Sequence, residues 1–300
     1  MITIYTPAYN RAKTLPRLFQ SLLNQTCHNF EWILINDGST DNTIDICKSF
    51  TTNKFPIQII NKENGGLPSV MNMAPSLAHG EYLLRLDSDD YLDIHAVELI
   101  YKYIPQIKDA NNICGMVFLT KFDNNKIVGT HPFSENKISN FYDYRFIYGA
   151  KGDRAEVIKK SVLEQYTFPN IKNEKFCPEG VLWLNIAKKY NALYINQPIY
   201  IREYNEDCIT AAGASTSIKN PIGTYMYYSL IINHKGKLKY LKKHYINYFR
   251  YAINTKYPFY KIIKNAPTKA IIIGLIPGVL LHFLDQQNSN IISKIKQLFK

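Results

Sequence analysis

The stretch Glu81-Tyr82-Leu83-Leu84-Arg85-Leu86-Asp87-Ser88-Asp89-Asp90 begins as a short, mostly apolar run and then places three carboxylates within four positions. The apolar run predicts a buried strand. Because aspartate is disfavoured inside such a strand, the carboxylates must follow its carboxyl end, the edge where open α/β sheets bind ligands. Acids this close repel one another unless a cation or hydrogen-bond donors neutralise them. An oxygen-preferring divalent ion, Mg²⁺ or Mn²⁺, meets that requirement.

Strand-like and helix-like patterns alternate along the first half of the chain. The predicted strands are Ile2–Thr6, Phe30–Asn36, Pro56–Asn61 and, after the acidic stretch, Cys114–Lys121. Helical patterns lie between them, for example over residues 15–23 and 68–78. Such alternation with short links predicts an α/β fold with a doubly wound, mostly parallel sheet flanked by helices. Asp37 and Asp87 then follow two parallel strands, so we expect both at one edge of the sheet.

The positive charge of the chain is concentrated in its last third. Residues 1–207 contain 22 Lys and Arg against 23 Asp and Glu, a net charge of −1. Residues 208–300 contain 14 Lys and Arg and a single acid, Asp285, a net charge of +13. This shift predicts a near-neutral domain over 1–207 and a basic, mainly helical region over 208–300.

The cysteines and the first residues favour a cytoplasmic protein. Five cysteines are present, an odd number, and none forms a Cys-x-x-Cys pair, which argues against a disulfide framework or a zinc site. The segment Met1–Thr6 reads directly as a strand rather than as a signal peptide.

Four blocks, in order and spacing, resemble family-2 glycosyltransferases with the GT-A fold, of the type that builds bacterial surface polysaccharides. The blocks are Tyr5–Asn10, Asn36–Asp41, Asn64–Gly66 and Gly80–Asp90. The resemblance is strongest over the first hundred residues. It implies that 1–207 form a GT-A catalytic domain with a nucleotide-binding half over about 1–110 and an acceptor half over about 111–207.

The resemblance also implies roles for residues at the sheet edge. Asp37 would accept the N3–H of uracil, and Asp89 would ligate the metal ion. Asp87 would hold the ribose, or the ion indirectly. The other residues that would line the nucleotide-sugar site are Pro7, Ala8, Tyr9, Asn64, Gly65, Ser88 and Arg154. Ordinary alternatives exist, because Asp37 is also typical of an Asx-turn and the later acids can cap the next helix.

Two positions depart from the pattern of the family. Many members have Glu-Asp where this chain has Glu179-Gly180, so Glu179 is our candidate for the general base, against the alternative of a simple first-turn helix acid. Relatives often carry Arg or Lys near Met71. A thioether cannot pair with phosphate, so the metal ion, Arg154 or Lys151 must compensate, or the donor is held differently. Arg11 and Arg85 are further options that the sequence does not rank.

The activity that the resemblance implies is an inverting, Mg²⁺- or Mn²⁺-dependent transfer of a sugar from a UDP-sugar to an acceptor hydroxyl. The acceptor would be a lipid-linked or growing glycan of a capsule or lipopolysaccharide. Two alternatives remain open. One is a non-catalytic relative that binds nucleotide or glycan, suggested by Gly180 and Met71, and the other is a basic membrane adaptor.

The basic region contains two segments that favour a membrane surface. Residues 238–252 alternate apolar and basic side chains at helical spacing, which suits an anionic membrane at the inner face of the cytoplasmic membrane. Ala270–Leu284 is apolar but shorter than the ~20 residues of a span, so we expect an interfacial or packed hairpin. The alternative is that the whole region packs on the catalytic domain. No nucleic-acid-binding signature accompanies the charge, so nucleic acid ranks last as a partner.

Overall fold

The computed structural model describes residues 1–203 and 213–298. The chain divides into two compact units. The first comprises Met1–Asn170 and Leu182–Cys208, and the second comprises Ile171–Val181 and Ile209–Lys300.

The first unit is built on one sheet. Its strands within the described residues are β1 (Ile2–Ala8), β2 (Phe30–Asp37), β3 (Ile57–Lys62), β4 (Tyr82–Arg85), β5 (Tyr91–Leu92), β6 (Ile113–Phe122), β7 (Lys137–Ser139), β8 (Arg154–Lys159) and β9 (Asn191–Arg202). They pair in the order β3-β2-β1-β4-β8-β6-β9-β5, with β7 on β9. The first four strands are parallel, and β8 runs antiparallel to both β4 and β6. The predicted doubly wound, mostly parallel sheet is confirmed.

Helices flank this sheet and form most of the second unit. They are α1 (Leu15–Leu23), α2 (Thr43–Ser49), α3 (Leu67–Leu77), α4 (Ala96–Tyr103), α5 (Phe141–Phe146), α6 (Lys160–Leu163), α7 (Gly180–Ile186), α8 (Gly213–Lys219), α9 (Pro221–Ile232), α10 (Leu238–Ala252), α11 (Phe259–Asn265) and α12 (Thr268–Leu298). Strand β2 is buried along its whole length, as expected of a parallel strand covered on both faces. On one face Trp32 stacks on Phe19 of α1, with ring centroids 5.7 Å apart.

A buried carboxylate fixes the start of the acidic strand. Glu31 of β2 accepts hydrogen bonds from the Thr3 hydroxyl of β1 at 2.6 Å and from the backbone N–H of His79 at 2.6 Å. The N–H of Gly80 donates to Glu31 at 3.2 Å and to the Thr3 hydroxyl at 2.9 Å. A Cβ at residue 80 would lie 2.6 Å from the Thr3 nitrogen, so only glycine fits this approach. These contacts tie the turn before β4 to β1 and β2.

The second unit corrects the expectation of a hairpin over Ala270–Leu284. This segment lies in α12, a single helix that continues through Pro277. The glycines that suggested a turn instead allow close helix packing, because a Cβ at Gly278 would lie 2.5 Å from the carbonyl oxygen of Ile246 in α10. Gly274 meets the α10 backbone in the same way at Tyr245.

We predict that Glu31→Gln lowers the free energy of unfolding by about 1–3 kcal/mol at pH 7, because buried donors lose a charged acceptor. Burial alone would raise the pKa of Glu31, but the hydrogen bonds from Thr3, His79 and Gly80 lower it overall. The ionised Glu31 therefore stabilises the folded state fully above the pKa that Glu31 has in the unfolded chain. This stabilisation is lost as the pH falls through the lower pKa that Glu31 has in the folded chain. Urea unfolding of both proteins across this acid range should show their difference shrinking.

The matched control is Glu164→Gln, whose side chain is half exposed and pairs with Lys160 at 3.7 Å. We expect this change to alter stability by less than about 0.5 kcal/mol. Equal effects at the two positions, or a pH-independent effect at Glu31, would contradict the role assigned to the buried carboxylate.

Candidate functional site

The carboxyl ends of three parallel strands meet at one edge of the sheet. Asp37 is the last residue of β2. Asp87 lies two residues after the end of β4, and the residue between them, Leu86, still pairs with β1 through a hydrogen bond of 2.9 Å from its N–H to the carbonyl of Tyr5. Strand β1 lies between β2 and β4 in parallel register with both. The backbones at Asp37 and Asp87 are therefore two strand spacings apart across the sheet, about 10 Å, and two residues apart along the strands, about 7 Å. The structure brings both acids to the same edge.

Asp37 organises the loop that follows β3. Its carboxylate accepts hydrogen bonds from the ammonium of Lys62 at 2.5 Å and from the N–H groups of Gly65 and Gly66 at 2.9 and 2.8 Å. The side-chain amide of Asn64 donates to the Asp37 carbonyl at 2.9 Å. A carboxylate accepts about four hydrogen bonds, so one acceptor position on Oδ2 remains within the described structure. Asn64 and Gly65 are thus beside Asp37, as the sequence predicted.

The loops after β1 and β2 are also joined. Asn10 has a positive φ of 54° and its side-chain oxygen accepts from the Thr40 N–H at 2.8 Å. The Asn10 N–H donates to the Ser39 hydroxyl at 2.9 Å. Of the three predicted wall residues at the end of β1, Ala8 is buried and Pro7 is half-buried, whereas Tyr9 is exposed. Tyr9 therefore offers its ring, and the other two residues offer mainly backbone.

Asp87 is held between two guanidinium groups. Arg85 Nε lies 2.8 Å from Oδ1, and an Arg202 terminal nitrogen lies 3.3 Å from Oδ2. The N–H of Asp87 donates to the hydroxyl of Tyr200 at 2.8 Å. Arg202 also pairs with Asp153 at 2.8 Å. The acid is thus neutralised within the chain and fixed in position.

Asp90 is the most deeply buried acid of the stretch. Its Oδ1 accepts from the N–H of Glu203 at 3.0 Å, and its Oδ2 lies 3.7 Å from Arg202 Nε. Burial raises the pKa of Asp90 to about 7, with the Arg202 charge opposing and the charges of Asp87 and Asp89 adding to the rise. Partial protonation of Asp90 near neutral pH limits the negative charge that the edge accumulates.

Asp89 differs from its neighbours because its carboxylate is only loosely paired. Its Oδ2 lies 3.5 Å from a terminal nitrogen of Arg11, and 16% of the side chain is exposed. Its backbone is fixed, since the Asp89 carbonyl accepts from Arg17 at 2.8 Å and the carbonyl of buried Ser88 accepts from the Thr14 hydroxyl at 2.7 Å. Asp89 is thus a positioned carboxylate available to a ligand.

These oxygens fit Mg²⁺ or Mn²⁺ only in combination with a ligand. The described residues contain no group of three or more His, Cys, Asp or Glu side chains that could hold a metal ion. Mg²⁺ is commonly bound by one or two carboxylates together with substrate phosphates and water. Asp89 suits that mode, in which the phosphates of a nucleotide would complete the coordination.

Arg154 lines a cleft together with Arg85 and Arg202, but its guanidinium is hydrogen-bonded within the chain, whereas the side chain of its neighbour Asp153 pairs with Arg202. All five N–H donors of Arg154 are used within the chain. Its partners are the hydroxyl of Tyr144 and the carbonyls of Val128, Thr130, Lys151 and Asp153, at 2.6–3.0 Å. A phosphate would have to displace these bonds. Of these two neighbours, therefore, Asp153 is the one whose side chain is linked to Asp87 and Asp90, through Arg202.

The cations that the sequence left open for the place of Met71 have different surroundings in the structure. The thioether of Met71 is buried in α3 and contacts a terminal nitrogen of Arg85 at 3.5 Å. Arg85 thus lies beside Met71 and is paired with Asp87, and Arg11 contacts Asp89. Lys151 is exposed, and Arg154 is occupied as described.

Glu179 belongs to the second unit, immediately before α7, and is half-buried. The segment that carries it is attached to α9, because the carboxylate of Glu174 accepts from the N–H groups of Ile222 and Gly223 at 2.8 and 2.9 Å. A Cβ at Gly180 would collide with the ring of Tyr227 in α9. The glycine that replaces the aspartate of the family therefore has a local packing reason.

A narrow cleft in the first unit adjoins Asp87. Its lining includes Arg85, Arg154, Glu156, Trp183, Tyr200 and Arg202. Trp183 is half-buried and stacks on Phe141 with ring centroids 5.2 Å apart.

Sequence reasoning missed Arg202 and Lys62. Lys62 is the last residue of β3, as Asp37 is of β2. Because the carboxyl ends of parallel strands meet at one edge of the sheet, the reasoning that placed the acids there also applies to Lys62. Arg202 ends β9, a strand that no motif marked. An apolar run that ends in a charged residue is the signal that could have identified it.

Comparison with known proteins agrees with this geometry. Residues 3–159 match the glycosyl transferase family 2. The chain belongs to this family. A chondroitin synthase of Pasteurella multocida is 44% identical over 114 residues, which are 38% of this chain and 12% of that protein. Glycosyltransferase GlyG of Streptococcus pneumoniae is 38% identical over 116 residues, 38% of each chain. The chain thus matches well under half the length of these relatives.

Solved structures show the same GT-A fold. S. aureus TarS 1–349 in complex with UDP-GlcNAc aligns with a TM-score of 0.65 at 18% identity, covering 91% of this chain and 83% of that one. The mannosyltransferase PcManGT from Pyrobaculum calidifontis, in complex with GDP-Man and Mn²⁺, aligns with a TM-score of 0.56 at 14% identity and covers 99% of this chain. At this identity the likeness establishes the fold.

We predict that Arg202→Gln destabilises the chain by about 3 kcal/mol at pH 8, because it leaves the buried Asp90 without its paired cation and removes one of the two guanidinium partners of Asp87. Adding Asp90→Asn should recover part of that loss, since the deepest acid then carries no charge. Urea unfolding of the two single variants and the double variant gives the coupling energy, expected at about 1–3 kcal/mol.

The control combines Arg202→Gln with Asp93→Asn, because the ion-pair partner of Asp93 is Lys121, at 2.7 Å, and not Arg202. These two changes should be additive within about 0.5 kcal/mol. Additivity of Arg202→Gln with Asp90→Asn would contradict the electrostatic account of the cluster.

Proposed function

We propose that this family-2 glycosyltransferase moves a sugar from a UDP-sugar to an acceptor hydroxyl, with inversion at the anomeric carbon and with Mn²⁺ or Mg²⁺. The acceptor class is a lipid-linked or growing surface polysaccharide, as in capsule or lipopolysaccharide assembly. One observation carries the proposal: Asp37, Asp87 and Asp89 converge at the edge of the sheet where a nucleotide binds in such folds.

The nucleoside binds against the ends of β1 and β2 in this proposal. Asp37 is fixed by Lys62 and two backbone N–H groups and keeps an acceptor position on Oδ2, which suits the N3–H of uracil. The exposed ring of Tyr9 supplies an apolar face for the base. The TarS complex with UDP-GlcNAc supports uridine, whereas the GDP-Man complex of the mannosyltransferase makes guanosine the comparison to test.

Charge on the diphosphate is balanced by the chain and by a divalent ion. Asp89 would hold Mn²⁺ or Mg²⁺, which when bound offsets the negative charge that develops on the leaving diphosphate. Arg85 and Arg11, at the positions described above, add fixed positive charge nearby. Preorganised charge of this kind is usually the largest contribution to such a reaction.

Glu179 is the general base in this proposal. Its carboxylate takes the proton of the acceptor hydroxyl while the hydroxyl oxygen forms a bond to the anomeric carbon. The bond from that carbon to the diphosphate oxygen breaks on the opposite face, and the nucleotide leaves with both electrons. A base must lie within hydrogen-bond reach of the hydroxyl for this step.

The alternative of a non-catalytic binding relative rested on Gly180 and Met71. Both departures have a structural reason, because Tyr227 fills the space beside Gly180 and Arg85 contacts Met71. We therefore favour the enzyme. We also propose that it acts in the cytoplasm at the inner face of the cytoplasmic membrane, where a lipid-linked acceptor would be available.

We predict that UDP binds in calorimetry at least tenfold more tightly with Mn²⁺ than with EDTA, and more tightly than GDP. Asp89→Asn should abolish the manganese effect, because the ion loses its protein ligand. Asp45→Asn, at an exposed position on α2, is the matched control and should behave as wild type. Metal-independent UDP binding that survives Asp89→Asn would contradict the proposal.

The same preparation separates binding from catalysis. Glu179→Gln should keep the UDP affinity and lose at least a hundredfold in UDP-sugar turnover, the range typical of general-base removal. Turnover that is undetectable in the wild type despite tight binding would instead favour the non-catalytic relative.

A further inference from the structure

The helix α12 exposes a continuous apolar face. Its most exposed large side chains recur at intervals of three or four residues, so they lie on one side of the helix. They are Ile272, Ile276, Leu280, Phe283 and Leu284, each 52–76% exposed. Soluble proteins rarely leave a contiguous apolar patch of this kind to water, and such patches mark interaction sites.

Exposed aromatic and basic side chains precede this face along the chain. Tyr257, just before α11, and Phe259 and Tyr260, at its start, are 47–65% exposed. The link from α11 to α12 consists of Ala266 and Pro267. Four exposed lysines lie in the same stretch: Lys256, Lys261, Lys264 and Lys269. No Asp or Glu occurs between residues 208 and 284. Aromatic rings with lysines are typical of segments that bind at a membrane–water interface.

The opposite face of α12 is firmly packed, so the exposure is a property of the folded helix. Gly274 and Gly278 contact the backbone of α10, and Asp285 pairs with Arg250 through two bonds of 2.7 Å. The only acid of the region is thereby neutralised. Among the described residues of α11 and α12, the charged side chains exposed to solvent beside the apolar groups are therefore lysines.

We infer that the exposed face of α12, with the aromatic residues and lysines of α11, docks in the plane of an anionic lipid bilayer. Of the two segments that the sequence placed at a membrane, the second presents the apolar face, because most apolar side chains of α10, such as Tyr245, Tyr248 and Phe249, are buried. The inference depends on the proposed location at the membrane and is independent of the transferase chemistry.

The packing explains why α12 lies in the plane of the membrane instead of crossing it. Thr268–Gln286 has the length and composition of a span, with 19 residues and a mean hydropathy of 1.6. A crossing α12 would take the Arg250–Asp285 pair and the adjoining backbone of α10 into the hydrocarbon, or lose these contacts. Both outcomes are costly, whereas in-plane binding inserts only the apolar face.

Charge favours a lipid partner over a second copy of the chain. Pairing two copies through this surface would bring the lysines of α11 and its flanks together, and like charges across an interface repel. Anionic headgroups provide the complementary charge instead. A bilayer therefore satisfies both the apolar and the basic parts of the surface.

The test is co-sedimentation of the full chain with vesicles, in EDTA and without nucleotide. Binding should be tighter to phosphatidylcholine–phosphatidylglycerol vesicles than to pure phosphatidylcholine, and should weaken with salt. Ile276→Ser with Phe283→Ser should weaken binding about tenfold or more. The matched control, Ile94→Ser with Ile138→Ser, removes two exposed apolar side chains of the first unit and should leave binding unchanged. Circular dichroism confirms folding of each variant.

Three results would overturn the inference. Retention of the protein in vesicles after alkaline carbonate extraction would indicate a span. A dimer in analytical ultracentrifugation that Ile276→Ser with Phe283→Ser disrupts would indicate a second copy as the occupant. Loss of vesicle binding in Lys242→Gln with Lys243→Gln, with the α12 variant unaffected, would assign docking to α10 and leave the proposed membrane location standing. None of these bears on UDP binding, so the transferase proposal is tested separately.

Discussion

Acids crowded at the edge of the sheet need positive partners, and the surrounding structure supplies most of them. Arg202 bridges Asp87, Asp90 and Asp153, and Lys62 neutralises Asp37. Asp89 is the exception because, within residues 1–203 and 213–298, its carboxylate has only a long contact to Arg11. The chain thus balances the acids that position the site and leaves one acid for a ligand. The proposed chemistry depends on this division between paired and available carboxylates.

The edge itself was predictable from sequence, because it follows from local patterns. Apolar runs that end in Asp37 and Asp87 mark strand ends, and parallel strands bring such ends together. The partners were not predictable in the same way. Arg202 lies 115 residues from Asp87 in sequence, and no spacing rule connects the two. The hydrogen-bond partners of Arg154 were not predictable either. They include the carbonyls of Val128 and Thr130, which are distant in sequence and which the fold brings beside its guanidinium.

The sequence of the basic region, residues 208–300, predicted its helices better than it predicted which of their faces are exposed. The pattern over 238–252 correctly predicted a helix, α10, but not which surface would remain exposed. Helical periodicity identifies an apolar face without identifying what covers it, and here α12 packs on α10. The hairpin expectation failed because Gly274, Pro277 and Gly278 were interpreted as turn residues. Two of them instead remove side chains where the helices approach closely.

The most direct test of the account is anomalous diffraction from a crystal grown with UDP and Mn²⁺. The account predicts a manganese peak within coordination distance of an Asp89 carboxylate oxygen and of the UDP diphosphate, with the uracil beside Asp37. A structure in which UDP lies at this edge without manganese at Asp89, or in which both bind elsewhere, would contradict it.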